Sequence, residues 1–120
     1  MSRPQPLVAV LYRVPLLCEA LSSVLDDIAH VQAFPARRGD PVGLLRSIRP
    51  DAVVVDDRDE AESARRWAKR HHVALVHVAV REQTIDILRN GCWEQRPGAT
   101  VESLRNALAE SLFGRGDEAR

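Results

Sequence analysis

The chain has 120 residues, 45% of them hydrophobic and 28% charged, a composition that suits one globular domain with a real core. Lys+Arg and Asp+Glu are both 17, so no net field points to nucleic acid or an anionic membrane. Aromatic residues are only 4%, too few for a base-stacking surface.

Cys18 and Cys92 are far apart and form no CxxC, so they are read as reduced thiols of a cytoplasmic protein. No apolar run approaches the roughly 18 residues needed to span a bilayer. The start, Met1 to Pro6, has one basic residue and no apolar stretch of the signal-peptide kind. A soluble cytoplasmic protein without a membrane partner is expected.

Leu7 to Leu11 is a continuous apolar run and predicts a strand buried on both faces. Pro15 suits the first turn of a helix, and Leu17, Ala20, Leu21, Val24, Leu25 and Ile28 follow at helical spacing, predicting a helix over 15–28. Val31 to Phe34 reads as a second strand stopped by Pro35, followed by a surface loop through Arg37, Arg38 and Gly39. Asp40-Pro41 is an N-cap acceptor followed by proline, opening a helix with Val42, Leu44, Leu45 and Ile48 inward. Arg49-Pro50-Asp51-Ala52-Val53-Val54-Val55-Asp56-Asp57 is the central stretch. Its three valines do not alternate with polar residues, so this third strand is expected to be buried on both faces, ending at two carboxylates.

From Asp57 the pattern is acid first and base last, through Glu62 and then Arg65, Arg66, Lys69 and Arg70, which matches the helix dipole at both ends. Glu62 and Arg66 form a favourable i,i+4 pair, and a solvated helix is expected there rather than a basic binding patch. Val73 to Val80 predicts a fourth strand. Gln83 to Asn90, with Ile85 and Leu88 inward and Gly91 as its left-handed stop, predicts a helix. Cys92 to Gln95 is a weak fifth strand. Thr100 caps a last helix carrying Leu104, Ala107, Leu108, Ser111 and Leu112 and ended by Gly114, with residues 115–120 a flexible tail. Strands alternating with helices predict an α/β doubly wound, five-stranded parallel sheet, order 2-1-3-4-5, with helices on both faces of one domain over 1–114.

Four stretches in this order resemble the receiver domain of bacterial response regulators, most closely receivers that precede a helix-turn-helix output domain. They are Val14-Pro15-Leu16-Leu17-Cys18-Glu19-Ala20-Leu21, Arg49-Pro50-Asp51-Ala52-Val53-Val54-Val55-Asp56, Ile87-Leu88-Arg89-Asn90-Gly91-Cys92 and Ala99-Thr100-Val101-Glu102-Ser103-Leu104. The resemblance implies a flavodoxin-like fold and places Asp56 at the phosphoacceptor position of two-component signal transduction. It also implies partners that this chain lacks. Tyr12-Arg13 stand where receivers carry the acidic pair that helps hold Mg²⁺, and Mg²⁺ wants an octahedron of oxygen ligands. Val78 replaces the hydroxyl residue, and Arg96, beside Pro97, falls near the expected lysine. After Asp57 the chain lacks the usual Met-Pro and Gly.

Because phosphoryl transfer rests on positioning and charge neutralisation, Asp56 is expected to be a carboxylate without its machinery. Mg²⁺ binding is not expected. Arg13 is expected to fill the vacancy by pairing with Asp56 or Asp57.

The implied function is a non-enzymatic pseudo-receiver that acts in signal transduction or transcriptional regulation. It would work by phosphorylation-independent protein–protein contact or dimerisation, without touching nucleic acid itself. Receivers dimerise through helix 4, strand 5 and helix 5, which singles out Leu88, Trp93, Leu104, Leu108 and Leu112. Two alternatives stay open: a genuine phosphoacceptor in a phosphorelay, and a small-molecule-sensing domain with Tyr12, Arg13 and Asp56 lining the pocket. His71, His72 and His77 lack the spacing of a zinc site, His77 being expected as a hydrogen-bonded core residue. Ser22-Ser23 lack a nucleophile elbow, and no Gly-rich loop follows the first strand.

Overall fold

The computed structural model describes residues 5–35, 41–79, 81–89, 92–98 and 100–114. In chain order the elements are β1 (Leu7–Tyr12), α1 (Pro15–Leu25), β2 (His30–Pro35), α2 (Pro41–Ile48), β3 (Ala52–Val55), α3 (Arg58–His71), β4 (Ala74–Ala79), β5 (Thr84–Arg89), β6 (Cys92–Pro97) and α4 (Val101–Ala109). A π-helical segment, Glu110–Gly114, continues α4.

The six strands form one sheet in the order β2-β1-β3-β4-β5-β6. β1 pairs in parallel with β2 and β3, and β3 with β4. All four residues of β3 are buried, because its non-alternating apolar run sits under a helical layer on each side. On one side Val8, Val10, Val54, Val76, Ile85 and Ile87 pack with Leu21 and Leu25 of α1 and Leu104 and Leu108 of α4. On the other side Ala9, Leu11, Val53, Val55 and Leu75 pack with Leu45 of α2 and Ala61, Ala64, Trp67 and Ala68 of α3. Each fully buried Val or Leu contributes up to about 1.5–3 kcal/mol of transfer free energy.

Helix ends follow the local chemistry. Asp57 caps α3, and His72, in a left-handed conformation, returns its N–H to the carbonyls of Ala68 and Lys69. Thr100 and Ser103 form a reciprocal capping box at the start of α4. α1 ends at Leu25, earlier than periodicity alone predicted, because a turn follows in which Ile28 and Ala29 both donate to the Leu25 carbonyl.

The expected helix over Gln83 to Asn90 is instead β5, and the sheet is mixed rather than five-stranded and parallel. β4–β5 and β5–β6 both pair antiparallel. Two periods compete in Thr84-Ile85-Asp86-Ile87-Leu88-Arg89. Ile85 and Leu88 satisfy helical spacing, but Ile85 and Ile87 satisfy strand alternation, and both are buried against the α1/α4 layer. Three β-branched residues among the first four add to the strand preference. The register Arg89↔Cys92 leaves Asn90 and Gly91 between the two strands. As a sequence signal Asn-Gly is the strongest two-residue hairpin pair, and it competes with the reading of Gly91 as a helix stop. β6 is a full strand that extends to Pro97. The loop at 36–39, the Asp40 cap, the Gly91 stop and the tail at 115–120 lie outside the described residues.

Ile87→Ala should therefore destabilise the fold by about 2–5 kcal/mol, as for a large-to-small change in a packed strand. Leu16→Ala, at a side chain 71% exposed, should stay within about 0.5 kcal/mol. Urea denaturation of the two variants checks both.

Candidate functional site

β1 and β3 run side by side in register, Leu11 opposite Val55, so their carboxyl ends bring residues 12–14 next to Asp56 and Asp57. Chain connection then forces α1 to begin at this rim, with Val14 as its N-cap and Pro15 in its first turn. No side chain caps α1 from within. Asp56 does so from across the sheet. The Arg13 N–H donates to Oδ1 at 2.9 Å and to Oδ2 at 3.0 Å, and the Val14 N–H donates to Oδ2 at 3.0 Å. A carboxylate at a helix N-terminus is favoured both by the free N–H groups and by the dipole.

Asp57 is committed in a different way. Its Oδ2 accepts the N–H of Glu60 at 3.2 Å, the N-cap bond of α3. Its Oδ1 lies 3.6 Å from Nε of Arg13. That guanidinium is 63% exposed, so the pair contributes little to stability by itself, but it sets a positive charge over the acidic rim. Arg13 thus meets both aspartates, Asp56 through its main chain and Asp57 through its side chain.

A third acid, Glu60, is 7% exposed on the first turn of α3. Burial raises its pKa above the ordinary 4.5, the charge of Asp57 adds to that, Arg13 opposes it, and Asp56 adds again. Reading the sequence residue by residue missed Glu60. The signal was available: Asp57-x-x-Glu60 is the spacing of an N-cap with its N3 partner.

The strand register sets Tyr12 and Val78 on either side of Asp56, at the ends of β1 and β4, and of the expected residues only Arg96 lies elsewhere. Tyr12 is half-buried and packs on the α1/α4 layer. Val78 is a core residue of that layer, 3% exposed. Arg96 sits on β6, three strands from β3, or about 14 Å at the usual strand spacing. It is held there by Glu94 at 3.2 Å and Glu110 at 2.7 Å. The Asp56 rim therefore joins Arg13, Asp56, Asp57 and Glu60 and leaves Arg96 out.

The expected interface residues are core rather than patch. Leu88, Leu104 and Leu108 are buried, and Trp93 and Leu112 pack against the two layers. No helix separates β4 from β5, so a helix 4–strand 5–helix 5 face is not assembled. The large apolar side chains exposed among the described residues are Val14, Leu16 and Val101, at the starts of α1 and α4.

His77 is 6% exposed, with Nδ1 3.1 Å from Oδ2 of Asp86 directly across the β4–β5 pair. Its partner was hidden by the helical reading of β5. The His71 ring lies against Trp67, centroids 5.0 Å apart, at the end of α3. Arg65, Arg66, Lys69 and Arg70 line a shallow cleft with Arg46 of α2, and Arg65 is 3.6 Å from Glu62.

The donor set at the rim does not fit Mg²⁺. Asp56 has both oxygens engaged by main-chain N–H groups, and Asp57 shares its oxygens between a helix cap and a guanidinium. Among the described residues no helix is long and apolar enough to cross a membrane. Comparison of the chain with protein-family models, with curated proteins and with solved structures found no match.

Two outcomes follow. Asp56→Ala should cost about 0.5–2 kcal/mol, the range for losing an N-cap, read as a lower urea midpoint. For Glu60 the folded-state pKa is raised, so the folded state binds the extra proton. Its stabilising share is complete below the unfolded value and is lost as pH rises through the folded one. Glu60→Gln should then be more stable than the native chain at pH 7 to 8. That advantage should shrink as pH falls toward 4.5, as urea midpoints across a pH series will report.

Proposed function

We propose that the chain is a pseudo-receiver, a non-enzymatic interaction module related to response-regulator receivers, that acts in signalling without phosphorylation. One observation carries the reading. The carboxylate at the phosphoacceptor position is bound on both oxygens by the N–H groups of Arg13 and Val14. Attack on a phosphoryl donor would have to compete with those bonds, which hold the carboxylate against the start of α1, and the Arg13 guanidinium stands 3.6 Å from Asp57 where the resemblance implies a bridging cation. The strand order β2-β1-β3-β4 with its parallel pairing is compatible with a receiver ancestry. The antiparallel β5–β6 pair departs from it and removes the helix through which receivers dimerise.

In this reading Asp56 has changed role from nucleophile to clasp. It holds the start of α1 against β3 in one state, and the module works by what it touches. Its setting would be the cytoplasm, with a protein partner that could be a second copy.

Incubation with Mg²⁺ and a small acyl phosphodonor, followed by intact-mass and peptide analysis, should leave Asp56 unmodified. A phosphoryl-sized mass gain on the peptide carrying Asp56 would restore the phosphorelay alternative and sink this one.

A further inference from the structure

We propose that the outer edge of β6 pairs antiparallel with the same strand of a second copy, joining two sheets through a two-fold axis at Gln95. The inference names a partner for the interaction module described above and rests on that reading for its role, though its geometry stands apart from it.

β6 is the last strand of the sheet, and Cys92, Glu94, Gln95 and Pro97 are exposed. The Gly98 N–H donates to the Gln83 carbonyl at 2.8 Å, and the register places Gly98 opposite Gln83. In an antiparallel pair such bonded positions alternate. The residues of β6 whose main chain turns toward β5 are therefore Cys92, Glu94 and Arg96, while Trp93, Gln95 and Pro97 turn theirs outward. Proline at the outward position agrees with this, since its missing N–H then leaves the β5 ladder intact. Among the described residues no main-chain bond to the outward groups is found beyond the sheet.

Self-pairing of this edge must join outward residues, which leaves few registers, and charge chooses among them. An axis at Glu94 would set Glu94 against its own copy, and an axis at Arg96 would oppose two arginines; both are repulsive. An axis at Gln95 pairs Gln95 with its copy through two N–H···O bonds. It lets each Trp93 N–H reach the other chain's Pro97 carbonyl. It also sets Glu94 opposite Arg96 of the second copy, twice, in the closer non-bonded positions. Both charged side chains lie on the same face as Ile85 and Ile87, their neighbours across β5. Within its own chain Arg96 is held there by Glu110, at 2.7 Å and 3.2 Å, and by Glu94 at 3.2 Å, so pairing across the axis would join two Glu94–Arg96 pairs into a four-charge network. On the opposite face Trp93 would meet Pro97. The other edge strand, β2, reads His30-Val31-Gln32-Ala33-Phe34-Pro35 and has no Asp, Glu, Lys or Arg to set a register.

Sedimentation equilibrium over a concentration series should show the 13.4 kDa chain approaching twice that mass. Glu94→Arg and Arg96→Glu should each weaken association by tenfold or more, because each sets like charges across the axis. Mixed in equal amounts, the two variants should associate with each other, since every facing pair is then opposite in sign. Gln95→Pro should abolish the dimer while shifting thermal unfolding by no more than a few degrees, because the N–H it removes points away from β5. A single 13.4 kDa species at every concentration would overturn the proposal. Variants that fail to recover association on mixing would overturn it too. Repeating the run with Mg²⁺ and the phosphodonor separates the two readings. A chain that gains mass on Asp56 and still dimerises supports this interface and removes the pseudo-receiver reading. An unmodified monomer does the reverse.

Discussion

Two aspartates pin the central strand to its neighbour, and the rest of the architecture is arranged around that clamp. β3 has only four residues, all apolar and fully buried, so nothing polar within it can set its alignment with β1. At its entrance Asp51 donates its N–H to the Leu7 carbonyl at 2.8 Å and accepts the Leu7 N–H on Oδ2 at 2.8 Å. At its exit Asp56 accepts the N–H groups of Arg13 and Val14. A slip of one residue would turn every valine to the opposite layer and break both ties together. The same clamp positions α1, because the residues bound by Asp56 are those that open that helix.

The chemistry of the rim follows from this structural duty. Asp56 serves as a clasp, each of its oxygens accepting a main-chain N–H from the start of α1. Asp57 and Glu60 extend the pattern: one caps α3 and the other is buried on its first turn. Three acids at one sheet end would repel, and Arg13 partly offsets them from above. The pocket is thereby organised as an electrostatic joint between three elements.

The second half of the sheet obeys a different constraint. Once β4 turns back through Arg81 to Gln83 into β5, no crossover helix is available to cover the far strands on the α3 side. Leu88 and Trp93, paired across β5 and β6, pack there against the edge of the α2/α3 layer, and His77 and Asp86 meet across β4 and β5. An antiparallel hairpin tolerates such half-covered faces better than a parallel strand does. It also leaves β6 with an open edge, which a protein must either blunt or use.

Local pattern was enough for most of the individual elements. The unbroken valines declared a doubly buried strand, Thr100 announced α4, and the acid-to-base gradient of residues 57–71 marked both ends of α3. The alternation of strands and helices up to β4 carried the α/β class and the order of the first four strands. Local pattern is silent on Arg13, whose place beside Asp56 and Asp57 follows from the resemblance to receivers. It failed at Thr84 to Arg89, where six residues satisfy both a helical and an alternating period. Only the two layers already in place decide between them, by burying Ile85 and Ile87 on one side and Leu88 on the other. The resemblance misplaced Arg96, because a parallel fifth strand would have sat beside β4, while a hairpin carries that residue one strand further out. Outside Thr84 to Arg89 the sequence by itself determined which short segments are strand, helix or cap, since those depend on neighbours within a few residues. Tertiary structure decided how the last strands pair and which oxygens of Asp56 are occupied, because those bonds join residues more than forty positions apart or depend on which of two local periods finds a surface to bury against.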